Sequence, residues 1–461
     1  MTQAFASRLN LCPQVFDRAV ADEVALAFAD LSAPLRDLVS ASASCAPYLR
    51  DLSRSEAAWL RQALTLSPED GFAAILAQMD QGTDLSTSLR QAKRRAALLI
   101  ALADLGGIWD LGQVTEALTQ LADCAVQMCL TTLVGDEMRR GKLPQGDPAL
   151  GAGMLVLAMG KMGARELNYS SDIDLICLFD ESRYPDTAQE ARTAFIRVTR
   201  KMSSLLSDNT PEGYVFRTDL RLRPDASVTP VCLSMAAASA YYEAEGRTWE
   251  RAAYIKARPC AGDMAAGHRF LASLTPFVWR RHLDFAAIQD AHDMRLRIRE
   301  HRGLKGPLVV EGHNVKLGLG GIREIEFFTQ TRQLIAGGRD PDLRGSGTEK
   351  ALQALSAKGW LPADVVAELT QAYRDLRLIE HRLQMVLDEQ TQTMPETPAA
   401  IARVAAFCGL EEGAFRRSFL DRLRRVDHLT EGFFSPNAPE TLPDTSPQAR
   451  AVVEGSSQYP A

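Results

Sequence analysis

The chain has 461 residues, more than one hydrophobic core usually holds, since single cores stop growing near ~250–300 residues. Lys plus Arg total 52 against 58 Asp plus Glu, and the net charge of −6 weighs against a protein whose main task is coating nucleic acid. A hydrophobic content of 46% is ordinary for a globular chain, the first residues show no basic-then-apolar leader, and no run approaches the ~18 uninterrupted apolar residues of a membrane span. Eight scattered cysteines without a CxxC pair fit a reducing, cytoplasmic setting better than a disulfide framework or a zinc site.

Residues from about 17 to 141 are rich in Ala, Leu, Arg, Gln and Glu and poor in strand formers, so they read as helices. Ser53, with Glu56 three residues on, is expected to open one helix through a capping box. A second is expected over 84–105, where Arg90, Lys93, Arg94 and Arg95 read as a solvated face. A third runs through 108–140 with an apolar stripe at Leu118, Leu121, Ala125 and Met128. The segment 141–148, GKLPQGDP, reads as a linker. The expected division is a helical region over 1–145, a catalytic core over 146–305, a glycine loop and helical bundle over 306–434, and a disordered tail over 435–461.

The segment 154–180, MLVLAMGKMGARELNYSSDIDLICLFD, carries the first chemistry. Two apolar runs flank a glycine-punctuated turn at Gly160-Lys161-Met162-Gly163, which reads as two buried strands. Asp172 and Asp174 stand two apart at the mouth of the second strand, so both point to one face. Paired carboxylates resist ionisation together, and a hard divalent cation such as Mg²⁺ removes the conflict. A helix is expected over 186–207, then a turn at 209–213. The run 214–224, YVFRTDLRLRP, alternates as a strand: Phe216, Thr218, Leu220 and Leu222 on one face, Arg217, Asp219, Arg221 and Arg223 on the other. That charged face is either an edge strand with surface ion pairs or a third metal carboxylate with phosphate-binding arginines beside it. Three carboxylates after a glycine turn form the constellation of two-metal phosphoryl or nucleotidyl transfer.

Further on, a helix is expected over 236–246, and Trp249 and Tyr254 read as core packing. An arginine-bearing helix is expected over 284–302. Residues 314–317 read as a short strand leading into Gly318-Leu319-Gly320-Gly321 and a helix from about Ile322. Glycines before a helix N-terminus can present backbone N–H groups to an anion, but Glu324 and Glu326 oppose that; Glu324 serves equally as a first-turn acid on the helix dipole. His313 reads as structural. Residues 348–434 read as helices again.

The run GKMGARELNYSSDIDL, at 160–175, resembles the signature of the glutamine synthetase adenylyltransferase/adenylyl-removing enzyme family, within the DNA polymerase β-like nucleotidyltransferases. RTDLRLRP at 217–224, TWER at 248–251 with KAR at 256–258, GGIREIEF at 320–327 and DEQTQT at 388–393 resemble four further signatures of that family. The resemblance implies an α+β fold: a small mixed sheet with helices, flanked by an N-terminal helical region and a C-terminal bundle. It implies Mg²⁺, two ions, on Asp172, Asp174 and Asp219, with Gly160, Lys161, Ser171, Arg221, Arg223, Glu324 and Glu326 about a nucleotide and its phosphates.

Members of the family carry two such domains in tandem, one adding AMP from ATP and one removing it by phosphorolysis. A single DxD signature corresponds to one half. The wording of GGIREIEF and DEQTQT is closer to the N-terminal, adenylyl-removing half. The expected function is therefore attack of inorganic phosphate on adenylyl-tyrosine of glutamine synthetase, giving ADP and unmodified enzyme. The alternatives are addition of AMP from ATP and a non-catalytic module that only binds glutamine synthetase. The resemblance also implies a PII signalling protein as regulator.

Overall fold

The computed structural model describes residues 4–79, 84–280 and 308–434. The arginine-bearing helix expected over 284–302 and the tail over 435–461 lie outside the described residues. What is described is α+β, a five-stranded mixed sheet among many helices.

The two apolar runs form β1 (Met154–Ala158) and β2 (Ile173–Phe179), which pair antiparallel with Met154 opposite Phe179 and Ala158 opposite Leu175. On the other edge of β1 lies β5 (Arg258–Gly262), also antiparallel. The outer edge of β2 is shared by two short parallel strands: β3 (Thr218–Asp219) pairs with its first residues and β4 (Cys232–Ser234) with its last. Strand alternation sorts the core. Leu155, Leu157, Ile176 and Leu178 pack with Tyr242, Tyr254 and Phe270 on one face of the sheet. Met154, Val156, Leu175, Cys177 and Phe179 face the other way, in one cluster with Leu99, Leu118 and Leu130 of the N-terminal helices. Asp174 has the parity of Ile176 and Leu178.

The expected strand over 214–224 shrinks to two residues: β3 pairs only with Ile173 and Asp174, and β4 takes Cys177 to Phe179 farther along the same edge of β2. After Asp219 the chain turns through Asp225, at φ 36°. The expected strand over 314–317 is likewise a turn. It makes one isolated bridge, Asn314 to Thr393, while Asn314 Oδ1 accepts from the backbone N–H groups of Lys316 (3.1 Å) and Leu317 (2.7 Å). An Asn side chain that caps its own turn competes with strand pairing.

Among the N-terminal helices, Leu85–Leu105 is capped by Asp84, and Leu111–Arg139 by a reciprocal Asp110–Gln113 box. Leu111–Arg139 is the one helix among the described residues long and apolar enough to cross a membrane. Its Leu118, Leu121, Ala125 and Leu130 are spent on the protein core instead. Ser53 does not open a helix: it lies inside Pro47–Ser55, which Pro47 begins, and its hydroxyl donates to Arg50 O at 2.8 Å.

The basic run of Leu85–Leu105 is also not a solvated face. Arg90 and Lys93 are buried. Arg90 donates to the carbonyls of Gly213 (2.7 Å) and Asp208 (2.5 Å), and Lys93 to that of Tyr169 (3.0 Å). Buried loop carbonyls need donors, and long cationic side chains reach them.

Residues 308–434 form a second helical body. Ile322–Ala336, Thr348–Ala357, Ala363–Leu387, Pro398–Phe407 and Glu412–Phe434 bury Leu352, Leu369, Leu376, Phe415 and Phe419 against one another. A polar seam joins this bundle to the sheet side. Arg382 makes a two-pronged ion pair with Asp104 (2.8 and 2.9 Å), and Arg377 donates to Asn168 Oδ1 (2.6 Å) and Glu166 O (2.7 Å).

Candidate active site

A cleft of about 510 Å³ opens between the sheet and the bundle. Asp172, Asp174 and Asp219 all line it, as do Gly160, Lys161, Ser171, Arg221, Glu324 and Glu326. Of the ten expected site residues, Arg223 alone is missing from its lining. Its guanidinium is spent inside the turn after β3, donating to the carbonyls of Leu220 (2.8 Å), Ala226 (2.8 Å) and Thr229 (3.0 Å).

The acids owe their convergence to strand register. Asp174 and Asp219 are direct partners across the parallel β2–β3 pair, so their side chains leave the same face side by side. Asp172, one residue before β2, shares that parity. Gly160 supplies the room: it holds φ +54°, and a Cβ there would stand 2.6 Å from Asp174 Oδ2. Burial and the neighbouring Asp219 and Asp172 push the Asp174 carboxyl up to about 6, against partial relief from Lys316 and Arg221. Asp219 is held below the usual carboxylate range by Arg221, whose guanidinium meets it at 2.5 to 3.0 Å. Asp172 accepts from Arg217 Nε at 2.9 Å. Arg217 is itself fixed by Ser170 O (2.7 Å) and Tyr214 Oη (3.0 Å). Ser170 Oγ and Tyr214 Oη in turn donate to Asp388, which ends Ala363–Leu387 in the left-handed region.

Lys161, Lys256 and Lys316 line the same cleft. Lys161 Nζ meets both oxygens of Glu380, at 3.0 and 2.9 Å. Lys256 Nζ meets Glu326 at 2.9 Å and Glu166 at 3.2 Å. Burial pulls Lys161 down to about 7, with Glu380 opposing that pull. For Lys256 burial acts in the same sense, but Glu166 and Glu326 outweigh it and keep the ammonium charged well above the usual lysine range. Glu326, 3% exposed, is thereby an obligate ion-pair partner, kept well below the usual carboxylate range by Lys256 and Arg323. Glu324 is buried in the first turn of Ile322–Ala336, with Thr430 Oγ1 at 3.4 Å.

The donor chemistry suits a hard divalent cation: three carboxylates, no thiol or imidazole, and one acid whose neighbours resist its charge. The set is not a closed cage. Among the described residues no group of three His, Cys, Asp or Glu side chains stands ready to hold an ion, and Asp172 and Asp219 are paired with Arg217 and Arg221.

A family model described as glutamate-ammonia ligase adenylyltransferase matches residues 35–273, from the N-terminal helices through β5 and the helix after it. The chain belongs to the glutamate-ammonia ligase adenylyltransferase family. A second model, described as GlnD PII-uridylyltransferase, matches residues 292–434, which include the bundle. Relatives named bifunctional glutamine synthetase adenylyltransferase/adenylyl-removing enzyme are similar along most of the chain. One from Rhodopseudomonas palustris (strain TIE-1) is 50% identical over 431 residues, covering 91% of this chain and 43% of the relative. One from Bradyrhizobium sp. (strain ORS 278) is 51% identical over 391 residues, covering 82% and 39%. One from Xanthobacter autotrophicus is 50% identical over 410 residues, covering 86% and 41%. The chain thus spans less than half the length of these relatives.

Within this adenylyltransferase-family chain several cleft residues escape a reading of the sequence. Trp249, expected in the core, is 37% exposed and lines the cleft, whereas Tyr254, on the same helix, is buried as expected. Lys256, Gln390 and Gln392 line the cleft and sit inside segments that carry the family resemblance, which was the signal available for them. Lys316 and Gln330 line it with no motif around them, and Glu380, fully buried and outside the lining, pairs with Lys161 from the middle of Ala363–Leu387.

Proposed function

We propose that this chain is the adenylyl-removing half of a tandem enzyme acting on glutamine synthetase, with residues 146–305 as catalytic core and 306–434 as a bundle that completes the cleft. The convergence of Asp172, Asp174 and Asp219 on one cleft that Lys161, Lys256 and Lys316 also line supports this reading most strongly. The names of the relatives support glutamine synthetase as the protein substrate. The direction of the reaction rests on the wording of 320–327 and 388–393, and both segments contribute to the cleft, through Arg323, Glu324 and Glu326 and through Gln390 and Gln392.

The chemistry needs little beyond charge and positioning. Inorganic phosphate attacks the α-phosphorus of the AMP–tyrosine ester. A P–O bond forms to phosphate, the P–O bond to tyrosine breaks, and the products are ADP and a tyrosinate that takes a proton from water. A phenol of pKa about 10 leaves readily, and the nucleophile is already an anion, so no general base is required. Lys161, Lys316 and Arg221 supply positive charge toward the phosphates, and Gly160 and Ser171 allow their close approach. Mg²⁺ held by Asp172, Asp174 and Asp219 would neutralise charge on the transferring phosphoryl group. Arg217 keeps Asp172 aimed into the cleft by its anchorage on Ser170 and Tyr214.

The match of 292–434 to a PII-uridylyltransferase model favours a PII signalling protein as regulatory partner, and the scattered cysteines favour the cytoplasm. The second reading, addition of AMP from ATP, uses the same acids. Two incubations with Mg²⁺ separate the two: adenylylated glutamine synthetase with phosphate, and unmodified glutamine synthetase with ATP. Phosphorolysis yields ADP and unmodified glutamine synthetase; transfer yields pyrophosphate from ATP and modified glutamine synthetase.

A further inference from the structure

The cleft lysines do not stand alone, and their partners come from far along the chain. Glu380 lies 219 positions after Lys161 and is fully buried on Ala363–Leu387. It grips the ammonium with both oxygens and also faces Arg377 Nε, one turn back on its own helix, at 3.3 Å. Glu326, on Ile322–Ala336, meets Lys256 through one oxygen at 2.9 Å, and its other oxygen lies 3.6 Å from Arg323. Each half of the cleft's basic wall is therefore a sheet-side lysine completed by a bundle carboxylate.

Lys161 is the more sensitive of the two. Its side chain is only 12% exposed, so burial disfavours its charge. The charged groups about it are Glu380 and Arg377 on Ala363–Leu387, Lys316 on the turn before Ile322, and Glu326 on Ile322–Ala336. Arg377 and Lys316 repel the ammonium, and Glu380 is the nearest group that attracts it. Lys256 has two carboxylates within reach, so the loss of one leaves it paired.

We infer that Glu380 is a positioning residue of the active site, holding Lys161 charged and aimed into the cleft, so that the helical bundle sets the charge with which the site meets phosphate groups. The inference rests on the proposed role of Lys161 at the nucleotide phosphates. A nearby anion stabilises a buried ammonium, and an isosteric neutral group in its place leaves that ammonium among cations in a dry setting.

The test uses Glu380→Gln and Glu380→Asp in the full chain. Two readouts follow them: NMR titration of ¹³C-methylated lysines, with Lys161 assigned by its absence in Lys161→Arg, and the pH profile of kcat/KM for phosphorolysis. In Glu380→Gln the Lys161 titration falls by about one unit or more, and the alkaline limb of kcat/KM moves down with it. In Glu380→Asp, which keeps the charge at a longer reach, the shift is smaller and in the same direction. If Glu380→Gln fails to fold, judged by circular dichroism and melting, Glu380→Asp decides by the same titration. An unchanged Lys161 titration in a folded variant overturns the inference. Wild-type protein that shows the titration but neither phosphorolysis nor nucleotide binding overturns the proposed function instead, and leaves the Lys161–Glu380 assignment standing.

Discussion

The acids and the lysines of the cleft, its acid wall and its basic wall, are held in place on opposite plans. The acid wall is local: Asp172 and Asp174 are neighbours in sequence, Asp219 joins them through two residues of strand pairing, and their arginine counterions, Arg217 and Arg221, are within a few residues of Asp219. Arg221 is exposed, and an exposed ion pair is cheap to break, whereas Arg217 is half-buried and held by Ser170 and Tyr214. The basic wall is long-range: Lys161–Glu380 and Lys256–Glu326 span 219 and 70 positions, and all four side chains are nearly or fully buried. Breaking a buried pair from one side leaves an uncompensated charge. The Arg221–Asp219 pair is thus the easily broken contact among the acids, whereas the lysine pairs are a fixed part of the fold.

That contrast predicts which changes cost activity and which cost the fold. The largest effect on activity is expected at Asp174. Asp174→Asn removes a carboxylate that its own neighbours destabilise, so phosphorolysis should fall by about 10²- to 10³-fold or more while the melting temperature holds or rises. A fall in melting temperature to match the lost activity would show that Asp174 is structural. Lys256→Met should behave in the opposite way. It takes the nearest cation from buried Glu326 and leaves Arg323 at 3.6 Å, at a cost of about 3–5 kcal/mol, read by urea unfolding, and adding Glu326→Gln should restore a good part of that loss. Additive effects of the two changes would argue against the pair.

Gly160→Ala should fall between these. The positive φ costs an alanine about 1–2 kcal/mol, and its methyl group would displace the Asp174 carboxylate. Activity should drop further than stability does; equal losses would remove the claim that Gly160 makes room for the acid.

The smallest effect is in pH dependence, at the bundle end. Burial holds His313 and His381 down to about 4, although Asp104 beside His381 opposes this. Their folded values lie below the unfolded value near ~6.5. The unfolded chain therefore binds more protons between those limits. Stability should be full above about 6.5 and decline as the pH falls toward 4, with a shallower slope in His313→Gln. A slope unchanged by that substitution would show that His313 does not contribute.

The sequence made the acid wall legible and left the basic wall hidden, for one physical reason. Strand parity and a two-residue spacing are local rules, so Asp172 and Asp174 declare their shared face in the string itself. Asp219 was legible as a carboxylate among arginines, although the strand read around it was far too long. The pairing of β4 farther along the same edge of β2 is a tertiary fact that no window of eleven residues contains. Arg223 left the site for the same reason, because the strand ended before it. Glu380 sits in a helix whose neighbours Arg377, His381 and Arg382 are all buried polar groups, a pattern that helical periodicity assigns to no face. Arg90 and Lys93 misread as solvated because charge runs usually are. Their partners are backbone carbonyls, which no sequence pattern marks. The elements themselves were largely legible from apolar period and caps, as at Asp84 and Asp110.

The central claim is that this cleft removes AMP from a protein tyrosine by phosphorolysis. The most direct measurement is ADP release from adenylylated glutamine synthetase and inorganic phosphate with Mg²⁺, comparing the wild-type chain with Asp174→Asn. ADP is expected in step with the loss of AMP from glutamine synthetase, dependent on phosphate and abolished in the variant. Release of pyrophosphate from ATP with new AMP on glutamine synthetase, and no ADP from phosphate, would contradict it.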